Sequence, residues 1–198
     1  AALASVTGVT TIIKNGTGRA RALEGLAEET TVLLGQAPTA AIPVPMNGAT
    51  YMADVMGGQK TGLFFDQRPN HAFAAALSHG SRVLDMFSHV GGFSLAALAN
   101  GAASALAVDG SADRFATRQG DAFDVLAALG EEGAQFDVVI CDPPAFAPSK
   151  NALEAGLRAY ERVARLAAPL VADGGYLVLC SCSHAADLTK FRNASARG

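Results

Sequence analysis

The 198-residue chain has room for one well-buried core with a small satellite, since domains commonly run about 100 to 200 residues. Half of its residues are hydrophobic, 17% are charged and the net charge is −3, which excludes a disordered or fibrous chain and counts against direct binding of a large nucleic acid. No apolar run approaches the roughly 18 to 20 residues of a membrane span, the first residues lack a secretory layout, and Cys141, Cys180 and Cys182 have no metal-ligand spacing; reduced thiols, no metal and a cytoplasmic protein without membrane contact are expected.

The first sixty residues read as β-rich. Val9 to Ile13 and Ile42 to Met46 are strand-like, and each is followed within two residues by Asn-Gly (Asn15-Gly16 and Asn47-Gly48), the strongest short hairpin signal. Beyond Gly62 short apolar strands alternate with Ala- and Leu-rich helical stretches, the pattern of an α/β fold with a parallel sheet covered by helices on both faces. This divides the chain into a small β-rich domain over 1–62 and a larger α/β domain over 63–198. In the second part, strands are expected at Arg82 to Met86, Ala103 to Val108, Phe115 to Gln119, Phe136 to Cys141 and Tyr176 to Cys182. Helices are expected at Gly92 to Asn100, Phe123 to Leu129 and Ala152 to Leu170. Ligands of open α/β sheets sit beyond the carboxyl ends of the strands, so Asp85, Asp109, Asp121, Asp142 and Cys182 should gather along one edge. Eleven residues separate Asp109 from Asp121, too few for a crossover of about a dozen residues plus a strand. A segment missing between Gly110 and Asp113 is therefore expected.

The run Leu84-Asp85-Met86-Phe87-Ser88-His89-Val90-Gly91-Gly92-Phe93-Ser94 is a strand, a Gly-containing loop and a helix start. Glycine allows close backbone approach to a ligand, and a helix N-terminus offers N–H groups to a carboxylate. The same run also suits a plain strand-to-helix turn, and it lacks the G-x-G-x-x-G of a dinucleotide site. Asp109 ends the next strand, where a carboxylate can accept from both hydroxyls of a ribose, whether the nucleoside belongs to NAD or to S-adenosylmethionine. Asp121 either binds an adenine amino group, with Phe123 packed on the ring, or caps a helix. In Cys141-Asp142-Pro143-Pro144-Ala145-Phe146 a buried strand ends in an Asp, and two prolines hold the backbone extended, so that carbonyls and an aromatic ring can clamp a planar base. A Pro-rich exit loop is the plainer alternative.

Gly57-Gly58-Gln59-Lys60-Thr61-Gly62-Leu63-Phe64-Phe65-Asp66-Gln67-Arg68, Leu84 to Ser94, Asp142 to Lys150 and Ser181-Cys182-Ser183-His184 occur in this order. Together they resemble the bacterial 23S ribosomal RNA large-subunit methyltransferase I family, and the resemblance covers most of residues 20 to 184. It implies a Rossmann-like class I methyltransferase sheet, S-adenosylmethionine as cofactor and RNA as substrate, with a homodimer left open. Phe65 and Arg68 would help close the cofactor site, and Asp85, Phe87 and Gly91 would line the methionine end. Asp109 would hold the ribose, and Asp121 and Phe123 the adenine. Asp142 and Pro143 would face the methyl group, and Pro144, Phe146 and Lys150 the target base.

Members of the family that make 5-methylcytosine use a cysteine at the position Cys182 holds here. Carbon 5 of cytosine is a poor nucleophile until a thiolate adds at carbon 6, so the resemblance makes Cys182 the nucleophile and Asp142 its partner at the ring nitrogen. His184 would help form the thiolate. Burial as a small hydrophobe is the competing role for Cys182, and Cys141 reads as core. Many RNA cytosine-5 methyltransferases carry a second cysteine after the two prolines, where this chain has Ala145. Relatives also begin with an RNA-binding PUA domain, which nothing here resembles, and continue into a final hairpin, for which only fourteen residues follow His184. The rivals are an amino-group methyltransferase acting on guanine or adenine, a nucleotide-binding oxidoreductase and a non-catalytic RNA-binding relative. Arg158, Arg162 and Arg165 read as a solvated helix face before a phosphate-binding stripe.

Overall fold

The computed structural model describes residues 2–16, 19–56, 63–110 and 117–198. Contact density divides the chain into two compact units, Ala1–Ile42 with Met52–Thr61, and Pro43–Tyr51 with Gly62–Gly198.

In the first unit, helix α1 (Ala2–Thr7) precedes strand β1 (Ile12–Lys14), helix α2 (Arg19–Leu23) and strand β2 (Thr31–Leu34). β1 and β2 pair antiparallel. Next come β3 (Ile42–Met46) and β4 (Ala49–Ala53), paired with each other; the hairpin's tip belongs to the second unit. The two Asn-Gly pairs behave differently. At Asn47-Gly48 φ is 51° and 80°, the consecutive positive values of a two-residue hairpin turn. After Asn15-Gly16 the chain passes through α2 before returning as β2. Arg19 to Leu23 contains only Arg, Ala and Leu, all strong helix formers, so no strand is available to pair directly across that turn.

The second unit continues with α3 (Arg68–Ala76), β5 (Arg82–Met86), α4 (Gly92–Ala99), β6 (Ser104–Asp109), β7 (Arg118–Gln119) and α5 (Ala122–Glu131). It ends with β8 (Phe136–Cys141), α6 (Leu153–Ala167), β9 (Val171–Leu179) and α7 (Leu188–Arg197). The five-stranded sheet has the order β7-β6-β5-β8-β9, and its strands pair in parallel. The α/β fold read from the sequence is the observed one. The suspected break between Gly110 and Asp113, and the first two residues of the strand expected from Phe115, lie outside the described residues.

Strand alternation divides the core. Leu84, Met86, Val139 and Cys141 meet Val125, Leu126 and Leu129 of α5 and Val163 and Ala167 of α6. Val83, Val138 and Ile140 meet Ala74 of α3 and Phe93 and Ala97 of α4. Burying each large aliphatic side chain stabilises the fold by about 1.5–3 kcal/mol. Helices α1, α2 and α3 were not expected from the sequence, and two elements toward the end of the chain also differ from expectation. β9 begins at Val171 and stops at Leu179, with extra residues bulging between its pairings with Phe136 and Val138; Gly174, at φ 78°, permits that bend. Cys180 to His184 therefore form a loop, and a same-face argument for Cys180 and Cys182 does not extend to them. Helix α7 was not expected. Asp187 caps it by accepting from Lys190 N at 2.9 Å, and it packs on α6.

Sheet order reverses between β5 and β8, because β5 leads on to β6 on one side and β8 to β9 on the other. That crevice is the topological switch point where ligands of such sheets bind. It carries Asp85 and Asp142 at its mouth.

Candidate active site

The loop leaving β5 is held in an unusual backbone path. Phe87 (φ 64°), His89 (φ 50°) and Gly91 (φ 79°) all lie in the left-handed region, where a non-glycine residue costs about 1–2 kcal/mol. Three bonds hold it there: Ser88 N donates to Val108 O at 3.0 Å, Gly91 N to Ser88 O at 2.7 Å, and His89 N to Oδ2 of Asp109 at 2.9 Å. Below the loop, the Tyr51 hydroxyl donates to Gly92 O at 2.9 Å. Burial, with Asp85 nearby, pushes Tyr51 up to about 12, so it remains a donor. His71 lies so close that a Cβ on Gly92 would stand 2.6 Å from its Cε1. Gly92 is required by this approach, in addition to any role toward a ligand.

Asp85 is fully buried. Its Oδ2 accepts from Ser94 N at 2.9 Å and Ser94 Oγ at 2.7 Å, whereas its Oδ1 and the buried Ser88 Oγ have no partner among the described residues. Burial drives Asp85 up to about 7, and the charges of Asp142 and Asp109 add to the rise. Burial likewise raises Asp142 to about 6, with Asp66 adding repulsion. Four carboxylates thus act on one crevice, and a cation placed among them would relieve their mutual repulsion. Buried polar atoms without partners are costly and mark where a ligand's donors would be rewarded.

Beyond β8, Asp142 N donates to Met86 O at 3.3 Å, which joins the start of the clamp to the end of β5. Pro143 is buried and Pro144 exposed. Phe146 is the hub of an aromatic group. Its ring lies 6.3 Å from Phe87, edge-on, 6.1 Å from Phe123, stacked, and 5.1 Å from Tyr160. Helix α6 approaches from behind through Gly156, where a Cβ would meet Phe146 O and Ala147 Cβ at 2.7 Å. Cys182 reaches the same place from the loop after β9, its Sγ 3.9 Å from Pro143 O. Of the three thiols Cys182 alone is exposed. Burial pushes Cys180 up to about 12 and Cys141 further still.

The structure therefore brings Asp85, Phe87, Gly91, Asp109, Asp142, Pro143, Phe146 and Cys182 to one edge. Asp121 caps α5, its Oδ1 accepting from Phe123 N at 2.9 Å and Asp124 N at 3.3 Å; the capping role is realised. Phe123 carries the Arg162 guanidinium 4.4 Å above its ring, so Arg162 is not simply a solvated charge. Phe65 and Arg68 are exposed on the 3-10 turn Phe65–Gln67 and at the start of α3. Lys150 is also exposed, and nothing among the described residues draws it into the crevice. Sequence reading finds no ligand spacing for His71 and leaves it unassigned, and it passes over Tyr51 and Tyr160, whose only signal is an aromatic residue in an apolar pattern. Among the described residues there is no cluster able to hold a metal ion and no helix long and apolar enough to cross a membrane.

A parallel sheet with an acid-lined, strained loop at its switch point defines a Rossmann-like nucleoside-cofactor fold. The model of the S-adenosylmethionine-dependent methyltransferase family matches residues 26–125, about half of the chain, and the chain belongs to that family. Ribosomal RNA large subunit methyltransferase I of Aeromonas salmonicida is 36% identical over 193 residues, which is 89% of this chain and 49% of that protein. The protein of the same name from Vibrio vulnificus is 35% identical over 195 residues, with the same coverages. The chain spans about half the length of the curated relatives it matches. An S-adenosylmethionine-dependent methyltransferase from Agrobacterium tumefaciens shares the fold with a TM-score of 0.69 at 18% identity, over 98% of this chain and 67% of that one. A protein described as a methyltransferase and solved with S-adenosylhomocysteine gives 0.72 at 22% identity, over 85% and 49%.

Proposed function

We propose that this chain is the catalytic part of an enzyme that methylates a base of ribosomal RNA in the cytoplasm, and that the atom methylated is carbon 5 of cytosine. The names of its relatives support the RNA. The observation that carries the chemistry is the placement of the exposed Cys182 thiol 3.9 Å from the Pro143 carbonyl, at the mouth of the clamp. The family match speaks against an oxidoreductase, and an amino-group methyltransferase needs no thiol.

S-adenosylmethionine, when bound, supplies an electrophilic methyl on a sulfonium centre. The carboxylates of Asp85 and Asp142 suit that positive charge, and the buried Oδ1 of Asp85 and Oγ of Ser88, both without partners among the described residues, suit the polar methionine end. Phe87, Gly91 and the α4 N-terminus would line that end and Asp109 the ribose. Asp121 and Phe123 would face the adenine, and Phe65 and Arg68 would close over it. The target base, turned out of its RNA stack, would enter between Pro144 and Phe146, with Lys150 toward its phosphate. Cys182 as thiolate adds to carbon 6 of the base, which makes carbon 5 nucleophilic. Asp142, charged beside the sulfonium but raised by burial to about 6, takes up a proton as charge builds on the base and donates it in a hydrogen bond to the ring nitrogen. Departure of the thiolate, with loss of the carbon 5 proton, restores the ring.

The test uses labelled S-adenosylmethionine and ribosomal RNA from a strain lacking the protein, with the product nucleoside identified by mass. 5-Methylcytidine formed by the wild type and lost in Cys182→Ser is the expected result. A labelled N-methylguanosine or N-methyladenosine, or full activity of the variant, would remove the cysteine mechanism.

A further inference from the structure

We infer that Tyr160 is a positioning residue that holds the loop carrying Cys182 against the base clamp. The inference rests on the reading of Cys182 as nucleophile. Tyr160 is 2% exposed and projects from the buried stripe of α6 that also contains Gly156, Val163, Ala164 and Ala167. Its ring packs on Phe146 at 5.1 Å and on Phe191 at 5.0 Å. For that packing a phenylalanine would serve. The hydroxyl does something a phenylalanine cannot: it contacts both residues that flank Cys182.

Ser181 Oγ donates to the Tyr160 hydroxyl at 2.9 Å, which leaves the phenolic proton for Ser183 Oγ, 2.6 Å away. Ser183 Oγ also accepts from Ala147 N at 2.8 Å, and Ser183 N donates to Ser181 Oγ at 3.2 Å. A last bond, Ala185 N to Ala147 O at 3.3 Å, runs back from the cysteine loop to the clamp. One phenol on α6 therefore ties residues 181 and 183 together, and through Ser183 ties them to residue 147, the neighbour of Phe146. Cys182 itself stays exposed, as does Ser181, while the hydroxyls on either side of the cysteine are tied to the buried phenol. Its orientation toward Pro143 is a consequence of that inward pull. Misplacing a reacting atom by about 1 Å can cost on the order of a hundredfold in rate, so a small loosening of this loop should register in the chemistry and not in cofactor binding.

Tyr160→Phe keeps the ring and removes the hydroxyl. It should be compared with the wild type and Cys182→Ala for S-adenosylhomocysteine affinity, for methylation of ribosomal RNA, and for covalent trapping on RNA containing 5-fluorocytosine. In that RNA the thiolate adds to carbon 6 and carbon 5 receives the methyl, but fluorine takes the place of the proton whose loss would expel the thiolate, so the adduct persists. The expected result for Tyr160→Phe is adduct formation and kcat lowered about tenfold or more, with S-adenosylhomocysteine affinity and the KM for RNA unchanged within twofold. Ser181→Ala, on the exposed loop, should move the same readouts in the same direction without disturbing the core. Unchanged trapping in Tyr160→Phe, with Cys182→Ala inactive, would overturn the role of Tyr160 alone. Full methylation by Cys182→Ala would overturn the cysteine mechanism, and the role of Tyr160 with it.

Discussion

Ser94 donates to a single oxygen of Asp85 twice, from its backbone N–H at 2.9 Å and from its hydroxyl at 2.7 Å. The first turn of α4 is thereby pinned to the strand that precedes it, through a carboxylate with no exposure to solvent. Both bonds favour the charged form and oppose the rise that burial causes. Ser94→Ala should therefore cost about 1.5–3 kcal/mol, as for a hydrogen bond to a charged group, when unfolding by urea is measured at pH 8. The loss should shrink at pH 5, where Asp85 is mostly protonated.

Two buried groups near the crevice pull stability in opposite directions over one pH range. Asp85 is raised from 3.8 to about 7, so its contribution is fully present below the lower value and is lost as pH rises through the upper one. His71 is lowered from 6.5 to about 4 by burial, so its contribution is present above pH 6.5 and lost as pH falls toward 4. Because Asp142 is raised as well, the comparison is with the wild type: Asp85→Asn should shift the slope of melting temperature against pH between 4 and 6.5 upward, and His71→Phe should shift it downward. Parallel profiles in the two variants would contradict this.

Cofactor and product differ by one positive charge, and the crevice should sense it. Bringing a sulfonium near Asp85 and Asp142 favours their charged forms. Binding of S-adenosylmethionine near pH 6.5 is expected to release protons, whereas the neutral S-adenosylhomocysteine should release few or none. Calorimetry in buffers of different ionisation enthalpy reads the difference, and the preference for the cofactor over the product should grow from pH 5 to 8.

Two glycines separate cofactor binding from methyl transfer. Gly92→Ala sets a methyl 2.6 Å from His71 Cε1 and should lower stability by about 1–3 kcal/mol together with S-adenosylhomocysteine affinity. His71→Ala should relieve it, so that the two substitutions are non-additive. Gly156→Ala crowds Phe146 O and Ala147 Cβ at 2.7 Å; it should slow methyl transfer while S-adenosylhomocysteine still binds.

The parallel sheet was legible because its central strands, such as Phe136 to Cys141, are apolar on both faces and end in residues with chemistry. The clamp was legible because prolines announce themselves locally. The end of β9 was not, since Val178, Leu179 and Cys180 read as one apolar run, and Ser181 and Ser183 give no local sign that their hydroxyls turn toward a distant phenol. Nor could the sequence distinguish Asn15-Gly16 from Asn47-Gly48, because a hairpin also needs a partner strand directly beyond its turn, and only Asn47-Gly48 has one. Asp121 meets the demand set by its own neighbours, capping α5 through Oδ1 alone; contact with an adenine needs a partner the chain does not contain, and capping leaves Oδ2 for it.

Helix α6 has a consequence for how errors propagate through this protein. Gly156 meets the clamp, Tyr160 the cysteine loop, and Arg162 the ring of Phe123, all within two turns of one rod. A helix moves as a unit, so a shift of α6 displaces the base side and the adenine side in step. Substitutions that shift the whole rod, unlike Gly156→Ala or Tyr160→Phe, which each act on a single contact, should therefore change affinity for cofactor and for RNA in proportion, tracing a single line across variants. Substitutions in the loops they share would scatter off it.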